Sequence, residues 1–240
     1  DYAVISLAGG QKDNAITREC ITEFLTDAPE EVKAYAKELQ EQIREEYTGS
    51  DENITIEVKE NGVETAQVLH PTSQEKIVFY LQNVPFGIQK MSGTIKGLVE
   101  SSSNIGILRL DEDELFASSS VRSSVDAACS AISDKIEYLT EFLGGDYEVQ
   151  GAYPAWEYRK DSPLRDKMVE IFEEMYGHKP EVVATHACLE CGLFYKKMEG
   201  LDCVSLGPDM KDIHTSEEVL SIASTERVWN YLVKVLENLK

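Results

Sequence analysis

The 240-residue chain is poor in basic side chains: 23 lysines and arginines stand against 44 aspartates and glutamates, for a net charge of −21. Such a surface repels a phosphate backbone, which argues against nucleic acid as a partner and leaves solubility as the plain reading of the charge. No apolar run approaches the ~20 residues that a membrane-spanning helix needs, so no membrane partner is expected. No N-terminal stretch has the basic-then-apolar form of a signal peptide, and a cytoplasmic location is the expectation. Cysteine is scarce as well. The five present are an odd number at irregular spacing, which fits reduced thiols better than a disulfide framework. The G-x-S-x-G, phosphate-loop, H-E-x-x-H and G-x-G-x-x-G patterns are all missing. So are internal repeats and low-complexity tracts. There is no opening methionine either. The text begins DYAVISLAGG and falls straight into an apolar strand, whereas a domain boundary ordinarily starts with polar, mobile residues. Residues upstream are therefore expected to be absent.

What is present is a core-forming composition, 42% hydrophobic and 28% charged, on a chain long enough for two modest domains or one large one. Residues 2–8 read as a buried strand ended by Gly9-Gly10, and residues 14–20 as a second short strand. Residues 27–47 are a strong helix, with Asp27 as candidate cap, Pro29 at its start and Val32, Tyr35, Ala36, Leu39 and Ile43 at helical spacing. Ile54, Ile56 and Val58 alternate, as in a half-buried strand. Thr72 and Glu75 form a capping-box pattern before a short helix. Residues 85–97 read as a glycine-rich loop. Residues 98–110 and 114–124 read as two strands of a hairpin joined by an acidic turn. A helix follows to Gly144, then a strand over 146–154.

From about residue 154 the character changes. A loop without periodicity leads to a helix capped by Ser162 with Pro163 at its first position. Residues 180–185 and 202–207 read as short strands flanking a short helix over 189–198. Val228, Leu232, Val235 and Leu239 mark a closing helix. Strands alternating with helices predict a parallel α/β layer, though two or three strands are few for a self-sufficient doubly wound core. The expectation is an α+β part over 1–153 followed by part of an α/β sheet over 154–240.

Several side chains are candidates for chemistry. The stretch ATHACLECGLF, residues 184–194, holds His186, Cys188, Glu190 and Cys191, with Cys203 and His214 downstream. Cys188 and Cys191 have the spacing of a redox dithiol at a helix start. They also have the spacing of half a structural zinc site, but Cys203 and His214 make a poor second pair. Two small buried thiols near a turn is the plain alternative. His214 follows a strand and a glycine-proline turn, where α/β proteins place ligands, yet a lone loop histidine is commonly just solvated. Arg122, flanked by small hydroxyls, is either a surface residue or a bidentate anchor for a carboxylate. Asn14 is either a turn residue or an amide that contacts a ligand.

Taken together, THACLECGLF, LDCVSLGPDMKDIHTSEEVLSI and VWNYLVKVLENL closely resemble the end of the aminoacyl-histidine dipeptidases, carnosinase-like di-zinc metallopeptidases of the cytosol. The resemblance continues upstream through GGQKDNAITRE, GIQKMSGTIKGLVESSSNIGIL, SVRSSVD and GAYPAWEYRKDSPL, and so covers essentially the whole chain. It implies a dimerisation-type, ferredoxin-like lid over 1–153 and the C-terminal segment of a catalytic domain over 154–240. It implies that His214 is a metal ligand, that Asn14 and Arg122 bind substrate, and that Glu190 and Gly192 line the pocket. Cys188 departs from the family, which usually has glycine there, and this weakens the dithiol reading. The family's other metal ligands, its glutamate general base and its lid histidine lie in upstream motifs that this sequence does not contain. The implied parent enzyme hydrolyses Xaa-His and other dipeptides with two zinc ions, or manganese or cobalt, and dimerises through the lid. The chain alone, with one ligand, is expected neither to hold zinc tightly nor to turn over substrate. A non-catalytic dimerisation module is the alternative.

Overall fold

The computed structural model describes residues 1–62, 65–111, 113–186, 189–213 and 217–239. Its helices begin where proline and capping side chains tell them to. α1 (Pro29–Glu46) has Pro29, Glu30 and Glu31 in its first turn, where fixed φ and negative charge both suit a helix start. Its cap residue is Ala28 rather than the expected Asp27, and the Thr26 hydroxyl accepts the Ala28 N–H at 3.1 Å. α2 (Pro71–Asn83) starts before the Thr72–Glu75 box. Pro71 sets the first position, and His70 Nδ1 accepts the Thr72 N–H at 3.3 Å. α3 (Asp126–Phe142) and α4 (Pro163–Tyr176) follow the sequence expectation. Ser162 caps α4 by accepting the Arg165 N–H at 3.1 Å. α5 (Glu190–Lys197) and α6 (Ile222–Asn238) complete the set, the latter capped by Ser221.

The chain forms two units, and β4 (Val99–Leu110), β5 (Leu115–Ser123) and α3 each give residues to both. In the first unit, β1 (Tyr2–Gly9) pairs antiparallel with β2 (Cys20–Thr26), from Tyr2↔Thr26 to Gly9↔Cys20. β1 also pairs antiparallel with β4 at Leu7↔Leu110, Ala8↔Arg109 and Gly9↔Leu108. Ala36, Tyr80, Val84, Leu110 and Ile136 supply this unit's buried apolar side chains. In the second unit, β3 (Gly87–Met91) pairs antiparallel with the first residues of β4, from Gly87↔Ser103 to Met91↔Val99. The core of the second unit is Met168, Ile171, Tyr231 and Val235, where α4 meets α6. Phe172 packs edge-on against Tyr231 at 5.3 Å, and the Tyr231 hydroxyl donates to the Met168 carbonyl at 2.7 Å. Burying each such side chain stabilises the fold by roughly 1.5–3 kcal/mol relative to leaving it exposed.

Several expectations fail for one physical reason: a strand needs a partner, and alternation alone does not supply one. Residues 14–20 run irregularly, and β2 begins only at Cys20. The Ile54–Ile56 stretch keeps its half-buried isoleucines, but its backbone bonds go to the Gln40 amide instead of a neighbouring strand. The stretches 146–154, 180–185 and 202–207 are likewise unpaired, and the predicted parallel layer does not form among the described residues. The second unit instead holds a two-residue antiparallel pair, β6 (Met210–Lys211) with β7 (Val219–Leu220). Conversely, the expected loop at 85–97 contains β3, because β4 offers it an edge.

α6 is apolar on two faces. Ser224, Tyr231 and Val235 are buried, while Ile222, Trp229 and Leu236 are 86%, 65% and 61% exposed. A helix that is apolar on opposite sides is built to be covered on both.

Candidate functional site

Asn14 sits on an exposed loop of the first unit, and the loop is clamped rather than free-standing. Thr17 donates its hydroxyl to the Ile105 carbonyl at 2.8 Å, and the Asn104 amide donates to the Ala15 carbonyl at 2.8 Å. Directly after these two residues of β4 comes Gly106. A Cβ there would fall 2.3 Å from the carbonyl oxygens of both Lys12 and Asp13, a distance no carbon tolerates. The Asn14 N–H closes the turn onto the Asp13 carboxylate at 2.8 Å. The position of Asn14 is therefore set by β4, ninety residues downstream, through a missing side chain and two hydrogen bonds.

The second unit holds Arg122, Glu190 and Gly192. Arg122 is half-buried near the end of β5. Glu190 is exposed at the first position of α5, and Gly192 is buried in its first turn. Here too a glycine permits close approach: a Cβ on Gly192 would lie 2.5 Å from the Pro154 carbonyl oxygen. The next residue along, Ala155, donates its N–H to the Asp126 carboxylate at 2.7 Å, and Lys196 lies 3.7 Å from the other Asp126 oxygen. Segment 154–155 is thus held on α5 from one side and on the start of α3 from another.

Two residues that sequence reasoning did not assign also meet here. Ser102 Oγ and His186 Nε2 lie 3.0 Å apart, although 84 positions separate them in the chain. The proton affinity of His186 is lowered, first by burial and then by the positive charge of Arg122. The imidazole stays neutral at neutral pH. The signals in the sequence were His186 itself, within the stretch already singled out, and the run of small hydroxyls Ser101-Ser102-Ser103.

Cys188 lies outside the described residues, and Cys191 has Cys203 as its hydrogen-bonded neighbour. Burial, with that contact, pushes the Cys191 thiol up to about 11. Such a thiol is a poor nucleophile, the opposite of a redox-active helix-start cysteine. His214 also lies outside the described residues. Among the described residues, no cluster of three or more His, Cys, Asp or Glu side chains could hold a metal ion. The zinc centre that the resemblance implies is not composed by them.

No family model matches the chain. It is 27% identical over 241 aligned positions to the cytosol non-specific dipeptidase of Escherichia coli, spanning all of this chain and 50% of that protein. The crystal structure of an aminoacylhistidine dipeptidase from Vibrio alginolyticus superposes with a TM-score of 0.85 at 30% identity, covering 100% of this chain and 49% of that one. The aminopeptidase PepT of Bacillus cereus shares the fold at a TM-score of 0.52 and 16% identity, over 69% of this chain. In sequence and in its order of helices and strands, the chain is similar to the C-terminal half of these dipeptidases. The chain spans about half the length of the relatives it matches.

Proposed function

We propose that the chain is the C-terminal part of a metal-dependent dipeptidase, contributing substrate grip and one metal ligand to a cleft completed by upstream sequence. The whole-chain superposition on half of the Vibrio dipeptidase carries this reading. The uncovered apolar face of α6 supports it, because that face suits further protein against it. Residues 1–153 act as the lid and dimerisation part, with a ferredoxin-like layer, and residues 154–240 belong to the catalytic domain. Arg122 holds the terminal carboxylate of a dipeptide such as Xaa-His in bidentate fashion. Asn14 takes a backbone group of the substrate, and Glu190 and Gly192 line its pocket. His214 is a metal ligand, and zinc, when bound by the complete set, supplies a polarised carbonyl and an activated water. The location is cytoplasmic.

A catalytic zinc needs about three protein ligands, and this chain offers one. Incubating the 240-residue chain with zinc, dialysing and measuring metal should therefore leave no stoichiometric ion, and dipeptide turnover should be absent. A tightly held ion, or turnover by the chain alone, overturns the claim of incompleteness. H-x-D and paired-glutamate motifs in the reading frame before Asp1 favour the hydrolase. Their absence favours the alternative, a non-catalytic dimerisation module.

A further inference from the structure

The Ser102–His186 contact lies beside a residue assigned above to carboxylate binding, yet nothing in that assignment uses it. Ser101 and Ser103 are 2% and 1% exposed on one face of β4, and strand alternation turns Ser102 to the other face, where His186 meets it. Arg122 stands on β5, the strand paired with β4, close enough for its charge to act on the ring. A histidine beside a guanidinium adds no second positive charge as long as it stays neutral. What it adds is directional hydrogen bonding: a neutral imidazole has one donor and one acceptor nitrogen, and the partner of one fixes the role of the other.

We propose that Ser102 and His186 form a positioning pair for an anionic ligand on Arg122. Ser102 donates to Nε2, the ring proton is thereby held on Nδ1, and that N–H bonds a carboxylate oxygen of a short peptide. The pair rests on the reading of Arg122 as the carboxylate anchor. It assigns Ser102 and His186 a role in choosing ligands with a free C-terminal carboxylate over their amides. A single lost hydrogen bond to a charged group corresponds to roughly tenfold in affinity.

The chain has four histidines, so its imidazole nitrogens can be followed singly by NMR after ring labelling. The free protein should show His186 as the Nδ1–H tautomer; a dominant Nε2–H tautomer overturns the proposal. Titration with alanyl-alanine should shift the His186 nitrogens, and the C-terminal amide of the same dipeptide should not. Equal shifts with both, or none with either, overturn it. His186→Ala should weaken dipeptide binding about tenfold, and Ser102→Ala several-fold with loss of the tautomer preference. His186→Asn, whose amide N–H falls near the place of Nδ1–H, should restore binding to within about twofold of the wild type, which a purely structural role would not predict. Arg122→Gln separates the two readings. If it abolishes binding while His186→Ala leaves the affinity unchanged, the anchor stands and the positioning pair falls. If neither variant matters, both fall.

Discussion

The loop carrying Asn14 and the turn opening α5 are both shaped by a glycine that lets a backbone carbonyl approach, but they are secured differently. Gly106 faces two carbonyl oxygens at 2.3 Å and sits in the middle of a long strand that cannot shift without disturbing its ladder. Gly192 faces one carbonyl at 2.5 Å from a segment without regular structure, on a helix of eight residues. The first device is rigid on both sides; the second has one compliant partner. The same close contact should therefore cost more in the strand than in the short helix.

Gly106→Ala breaks the comparison at its stronger end. It should cost about 3 kcal/mol in urea denaturation, the upper range for overpacking, because neither β4 nor the clamped loop can give way. Asp202 comes next, as the clasp at the start of α4 in the second unit. Its carboxylate takes the Ser162 hydroxyl at 2.6 Å and the Leu164 N–H at 2.9 Å. Burial acts to raise its pKa, but those hydrogen bonds, with Arg159 and Arg165 nearby, outweigh burial and hold it below the ordinary carboxylate value. Asp202→Ala should cost about 2 kcal/mol at neutral pH. Because the folded-state pKa is depressed, this stabilisation is present above about pH 4 and is lost as pH falls through the lower, folded value. Acid unfolding followed by circular dichroism should show that the variant has lost this part of the pH dependence.

Gly192→Ala tests the compliant end. Overpacking of roughly 2 kcal/mol is offset by about 1 kcal/mol of helix propensity, leaving a net loss near 1 kcal/mol in the same denaturation assay. A loss equal to that of Gly106→Ala would show that segment 154–155 is as rigid as a strand. Asn104→Ala removes one exposed clamp from the Asn14 loop and should cost about 0.5 kcal/mol. The smallest effect concerns Cys191. With its thiol pushed up to about 11, alkylation by iodoacetamide at pH 8 should be slow and should accelerate on unfolding in urea. Fast labelling of the native chain would mean that the thiol pair with Cys203 is open.

Legibility followed the range of the interactions. The helices could be read from text: Pro29 with two glutamates, Ser162 before Pro163, and the stripe Val228–Leu232–Val235 are local signals, and α1, α4 and α6 sit where they point. Strands were read less well. Residues 54–58 alternate as a strand should, but the Gln40 side chain takes the backbone bonds. Residues 87–91 have no such pattern, yet form a strand against β4. Arg122, Glu190 and Gly192 were singled out through motif resemblance, not through spacing. Ser102 was passed over because a serine in a serine run carries no local signal of what will face it.

Sequence alone determined the helix positions, the acidic net charge and the resemblance to dipeptidases, because each is written in neighbouring residues or in matched motifs. Tertiary structure alone decided that Ser102 meets His186, that Gly106 must lack a side chain, and that Cys191 answers to Cys203. Those contacts join positions as far apart as Lys12 and Gly106, and no periodicity encodes a partner at that distance. Only a folded backbone brings such groups within hydrogen-bonding reach.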